Sequence, residues 1–169
     1  TGGDTLICTV ENRCFPKNEL DRSGSGIGLE NLRRRLSLLY PGQHILRMEK
    51  IGEQYVAQLI QEMTGGDIFR ILPQKPYPTD HRTLVDLARE EQEQDARPAI
   101  VGKIEAPEAY DTIFIGYPNW WGDMPMILYT FLEQYDFSGK TLIPFCTHGG
   151  SGFSRTIRTI QDKQTGATV

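Results

Sequence analysis

Two short stretches of the chain bring together residue types that suit a flat ligand with a polar edge. The first is Tyr117-Pro118-Asn119-Trp120-Trp121-Gly122-Asp123 and the second is Thr147-His148-Gly149-Gly150-Ser151-Gly152. Two adjacent indoles followed by glycine offer a flat apolar wall. The glycines of the second stretch let backbone N–H groups come close to a ligand. Asn119 and the Gly149–Gly152 backbone supply donors and acceptors, and Thr147 and Ser151 add hydroxyls. His148 suits either a donor to the ligand or a surface loop position. The tryptophans also admit two readings, ligand-facing rings or core aromatics. Neighbours on extended backbone point opposite ways, so one ring is expected in the core and the other toward the ligand. No Ser-His-Asp pattern, metal-ligand spacing or shared carboxylate pair is found, so no catalytic residue and no metal are assigned.

The elements around these stretches must place them at one edge of a sheet. Thr112–Gly116 and Thr141–Cys146 are apolar β-like runs, and each leads directly into one of the two loops. Between them Pro125–Tyr135 is an amphipathic helix candidate, with Met126, Leu128, Phe131 and Leu132 as its core face. Strand, loop, helix, strand and loop describe a parallel βαβ unit, whose loops share the carboxyl edge where open α/β sheets bind ligands. Upstream, Val56, Leu59, Ile60 and Met63 follow helical spacing and predict a helix over Glu53–Thr64. Asp67–Leu72 reads as a strand, and Thr79 or Asp80 as the cap of a helix reaching about Asp95. Ser154–Lys163 reads as a helix, and Thr165–Val169 as the start of a fifth strand.

The double motif resembles the flavodoxin-like family, in particular its small bacterial branch. There G-Y-P-x-W-W-G-x-M-P and F-C-T-H-x-G-S-G flank a flavin ring, and both stand here at 116–125 and 145–152. The resemblance runs from about Tyr55 to Val169 and implies an α/β three-layer sandwich with a parallel sheet. It implies FMN as cofactor, held by Pro118, Asn119, Trp120, Trp121, Gly122, Thr147, His148, Gly149, Gly150, Ser151 and Gly152. Stacking on tryptophan would disfavour the electron-rich reduced ring and lower its second reduction potential. The implied role is one-electron transfer, with two-electron reduction of a small acceptor such as a quinone also found among relatives. In this reading the sheet lacks its central first strand and the phosphate-wrapping loop that follows it. His44–Lys50 would be the substitute strand, although Arg47, Glu49 and Lys50 suit a buried position poorly. The family's last helix is also missing, so the fold is expected to be incomplete at both ends.

The amino-terminal third reads differently. Thr5–Val10 is a β-branched strand candidate, and Glu11–Ser25 is a polar loop. Gly24-Ser25-Gly26-Ile27-Gly28-Leu29 then opens a helix over Glu30–Tyr40, and His44–Glu49 is a further strand candidate. A glycine-rich turn opening a helix can hold phosphate. This order resembles the end of a sensor histidine-kinase ATPase domain, with Asn12, Gly24, Gly26 and Gly28 at its nucleotide-binding positions. That family's asparagine box and phosphoacceptor histidine have no counterpart here. The expected division is therefore a kinase-like fragment at 1–51 and a flavodoxin-like domain at 52–169. The alternative functions are an ATP-binding fragment and an inactive chimera.

Composition narrows the partners. The 169 residues carry a net charge of −4, with +2 over 1–51 and −6 over 52–169. An acidic second part argues against nucleic acid and suits a basic redox protein or a small electron acceptor. No apolar run of membrane-spanning length occurs, so no membrane contact is expected. Cys8, Cys14 and Cys146 form no pairing motif and read as ordinary thiols of a reducing compartment. With no basic and apolar leader at Thr1–Asp4, a cytoplasmic location is expected.

Overall fold

A computed structural model describes residues 5–10 and 53–169 of the chain. The described strands form one parallel sheet in the order β2-β1-β3-β4: β1 is Thr5–Val10, β2 Asp67–Ile71, β3 Thr112–Pro118 and β4 Thr141–Thr147. The helices are α1 (Glu53–Thr64), α2 (His81–Glu93), α3 (Met126–Gln134) and α4 (Thr156–Lys163). This is the α/β flavodoxin-like arrangement that the double motif implies. The strand over 5–10 and the helix over 53–64 have the expected limits, and the other described elements differ from expectation by a few residues at their ends.

The sheet has its central strand, which corrects the expected gap. Thr5–Val10 pairs in parallel with β2 on one side, Cys8 opposite Phe69, and with β3 on the other, Cys8 opposite Ile115. Its sequence, TLICTV, is a continuous run of apolar and β-branched residues, which a strand covered on both faces requires. Leu6, Ile7, Cys8, Thr9 and Val10 are all buried. The substitute strand at 44–50 is not needed for this position, and a boundary after residue 51 does not separate β1 from the sheet. What hid the strand is distance: connections in α/β units usually take a handful of residues, whereas 42 residues lie between β1 and α1. Residues 11–52, with the helix expected at 30–40 and the strand expected at 44–49, lie outside the described residues.

Alternation along the strands divides the core between two faces. Leu6, Cys8, Val10, Ile113, Ile115, Tyr117 and Leu142 join Ile127, Leu128, Phe131 and Leu132 of α3 and Ile160 of α4 in one cluster. Ile7 faces the other way and is fully buried. On that side α1 packs on β1 and β3, burying Val56 and Ala57. The helix α2 starts at a defined point because Asp80 Oδ2 accepts from Thr83 N at 2.8 Å. Beside β4, Thr168 makes a single parallel bridge with Thr141, so the expected fifth strand begins as one bridge. Near the carboxyl ends of β3 and β4, Gly116 stands opposite Phe145, and a Cβ at 116 would lie 2.1 Å from the Phe145 ring. Only glycine lets that ring lie flat on β3.

Candidate functional site

All four strands run in parallel, so the segments after β3 and after β4 emerge side by side at the carboxyl edge. The first segment is a tight hairpin. Trp120 N donates to Asp123 O at 2.8 Å and Asp123 N donates back to Trp120 O at 3.0 Å. The two residues between them, Trp121 and Gly122, have φ of 53° and 78°. Such a pair of left-handed residues makes a type I′ turn, which ordinarily selects Asn-Gly. A tryptophan in that conformation is held by its surroundings. Its Nε1 donates to Val85 O of α2 at 3.1 Å, and the Arg89 guanidinium lies 5.5 Å from the ring centroid. Half of its surface remains exposed (51%). Trp120 is half-buried and meets Tyr77 edge to face at 5.4 Å. The adjacent indoles therefore have different environments, but the left-handed turn at Trp121 separates them rather than alternation along extended backbone, and neither ring joins the core cluster.

The second segment leaves its backbone donors open. Among the described residues, the amides of Gly149, Ser151 and Gly152 have no hydrogen-bond partner. Gly150 N donates to His148 Nδ1 at 3.1 Å, which places the proton of the neutral imidazole on Nε2. Gly150 and Gly152 need glycine for their φ of 129° and 63°. Gly149 has no such φ, and a Cβ there would meet nothing within 4 Å. Neither backbone strain nor packing among the described residues explains its missing side chain.

The two segments are sewn together. Asn119 N donates to Thr147 O at 2.8 Å, and Asn119 Nδ2 donates to Gly152 O at 2.9 Å and Ser154 Oγ at 3.0 Å. Asn119 Oδ1 accepts from Gly122 N at 3.1 Å. The Asn119 side chain thus acts as a connector between loops rather than as a free donor to a ligand. Asp123 is fully buried and accepts from Met124 N (2.9 Å), Tyr129 Oη (2.6 Å) and Arg155 Nε (2.6 Å). That carboxylate raises the Arg155 pKa, while burial and then Asp123 push Tyr129 up to about 12. Tyr77 donates to Glu91 Oε2 at 3.0 Å, and burial first and Glu91 second raise its pKa. Burial also raises Glu91.

Of the expected cofactor contacts, the fold brings Pro118, Asn119, Trp120, Trp121 and Gly122 beside Thr147, His148, Gly149, Gly150, Ser151 and Gly152. Asn12, Gly24, Gly26 and Gly28 lie outside the described residues. Sequence reasoning passed over Tyr77, Asp123 and Arg155. Asp123 stands inside the first motif, but nothing in its position signals a buried ion pair. An open depression bounded by Glu133, Tyr135, Asp136, Lys163 and Gln164 lies at the other edge of the sheet. Among the described residues there is no cluster of His, Cys, Asp or Glu fit to hold a metal, and no helix long and apolar enough to cross a membrane.

A family model described as Flavodoxin matches residues 50–169. No curated protein matches the chain. Among solved structures, a candidate flavoprotein from Bacteroides uniformis ATCC 8492 is 27% identical with a TM-score of 0.62, over 99% of this chain and 86% of that one. A second, from Bacteroides eggerthii DSM 20697, is 24% identical with a TM-score of 0.62, over 98% and 83%. A flavoprotein in complex with FMN from Lactobacillus acidophilus NCFM is 16% identical with a TM-score of 0.64, over 99% and 89%. The last two likenesses are of fold.

Proposed function

The chain belongs to the flavodoxin family, and from that premise we propose that it is an FMN-binding electron-transfer protein. The observation that carries this reading is the pairing of open backbone donors with an exposed indole at one edge. The amides of Gly149, Ser151 and Gly152 stand without partners among the described residues, beside a hairpin that presents Trp121. Three donors on a glycine loop suit the carbonyl edge of a flat heterocycle, and an indole suits its face. FMN, when bound, supplies the redox chemistry.

The chain's own residues bind and orient. Trp121 offers the ring a face, and Trp120, held edge-on by Tyr77, backs the hairpin. The amides of Gly149, Ser151 and Gly152 fix the polar edge, with His148 Nε2–H at its rim. Asn119 and Asp123 hold the two walls at a set separation. The acidic balance of 52–169 favours a basic redox partner or a small electron acceptor.

Titration of the purified chain with FMN, followed by flavin fluorescence, tests this. Saturable quenching at micromolar flavin, about 8 kcal/mol of binding, is expected. No quenching up to about a millimolar, where binding is worth only about 4 kcal/mol, would sink the reading.

A further inference from the structure

Beyond binding the ring, the two loops carry a buried charge whose placement has a consequence for redox tuning. Asp123 has no exposed surface, yet its carboxylate lies in the first ring-flanking loop. Burying an unpaired carboxylate is costly, and an apolar residue would fill the position without that cost. Among the described residues its one cationic partner is Arg155, three residues after Gly152 and directly before α4. The Arg155 side chain is 60% exposed, so its guanidinium reaches the surface of the same edge. Arg155 N also donates to Gly122 O at 3.4 Å, so backbone and side chain both span from the second loop to the first. Tyr129 Oη completes the carboxylate's shell from α3.

We infer that Asp123 and Arg155 are positioning residues, a charge-neutral clasp that joins the two loops and balances the field at the flavin ring so that its reduction potential is set by the pair. This rests on the proposed FMN site. A clasp that only held the loops together would make both single substitutions act alike. Opposite charges beside a ring that gains electrons act in opposite directions. With Arg155→Gln the Asp123 charge is left uncompensated and reduced FMN is disfavoured. With Asp123→Asn the Arg155 charge is left uncompensated and reduced FMN is favoured.

The test measures dissociation constants for oxidised and reduced FMN on the full chain and on Asp123→Asn, Arg155→Gln and the double variant. Each single variant is expected to shift the ratio of the two constants by about tenfold, in opposite directions, or about 30 mV for a two-electron couple. The double variant returns the ratio to within about threefold of the parent while its overall affinity stays low. Thermal melts confirm that each variant folds, and the double variant, which buries no charge, remains informative where Arg155→Gln does not fold. Shifts of the same sign, or none, in the single variants would overturn the inference and leave the FMN site standing, as would a double variant shifted as far as either single one. A parent chain that binds no FMN would overturn the proposed function, and this inference with it.

Discussion

The two edges of the sheet are built from similar polar residues and end in different states. At the amino edge, Gln164 is buried, donates to the carbonyls of Leu132 and Tyr135, and accepts from Phe137 N at 3.0 Å. Beside it Glu133 accepts from Arg97 Nε at 2.7 Å and from Lys163 Nζ at 2.6 Å, and both cations lie over the Tyr129 ring. Those groups answer one another. At the carboxyl edge, Asn119 and Asp123 are answered within the loops, but among the described residues the amides of Gly149, Ser151 and Gly152 are not, and Trp121 stays exposed in a left-handed turn. These exposed amides, free for solvent and set beside backbone held in unusual conformations, are the groups that the proposed FMN site would use. The closed edge holds the sheet together, and the open one has donors left to give.

Substitutions at the two edges should therefore separate stability from flavin affinity. Gln164→Ala strips three hydrogen bonds from a buried junction and is expected to cost about 3 kcal/mol in urea unfolding, with FMN affinity unchanged. A loss of affinity in the folded variant would break the division between the edges. Gly150→Ala forces a Cβ onto a φ of 129° in open space; about 1–2 kcal/mol of stability and a weaker FMN complex are expected. Trp121→Ala should weaken FMN about tenfold through lost stacking. Its melting temperature should barely change, because half of the ring is exposed already. Equal affinity in that variant would move the stacking face to Trp120.

The smallest effect is a pH dependence of the closed edge. Arg97 first, then Lys163, hold the Glu133 carboxyl at about 2. That lies below the value in an unfolded chain, so the stabilisation is complete above about pH 4.5 and is lost as pH falls toward 2. Glu133 is 41% exposed, which limits the contribution to about 1 kcal/mol or less. Glu133→Gln should remove that part of the acid dependence, read from melts across the window, and leave FMN binding alone.

Much of this molecule was legible in its sequence. The helical spacing of Val56, Leu59, Ile60 and Met63 and the double loop motif pointed to the elements that carry the site. Thr5–Val10 was recognisable as a strand but not as the centre of the sheet, because strand pairing is a long-range fact that 42 intervening residues conceal. The motif showed which residues would gather at the edge, but not how they divide their labour. Asn119 reads as a ligand donor in sequence and is a connector in the fold. Asp123 carries no mark of burial, since its partners Tyr129 and Arg155 are set by packing alone.

The most direct test of the contrast between the edges is hydrogen exchange of the full chain with and without FMN. The account predicts that FMN slows exchange at the amides of Gly149, Ser151 and Gly152 and leaves the amino-edge amides of Phe137, Gly139 and Lys140 unchanged. Protection at the amino edge, or none in either place, would contradict it.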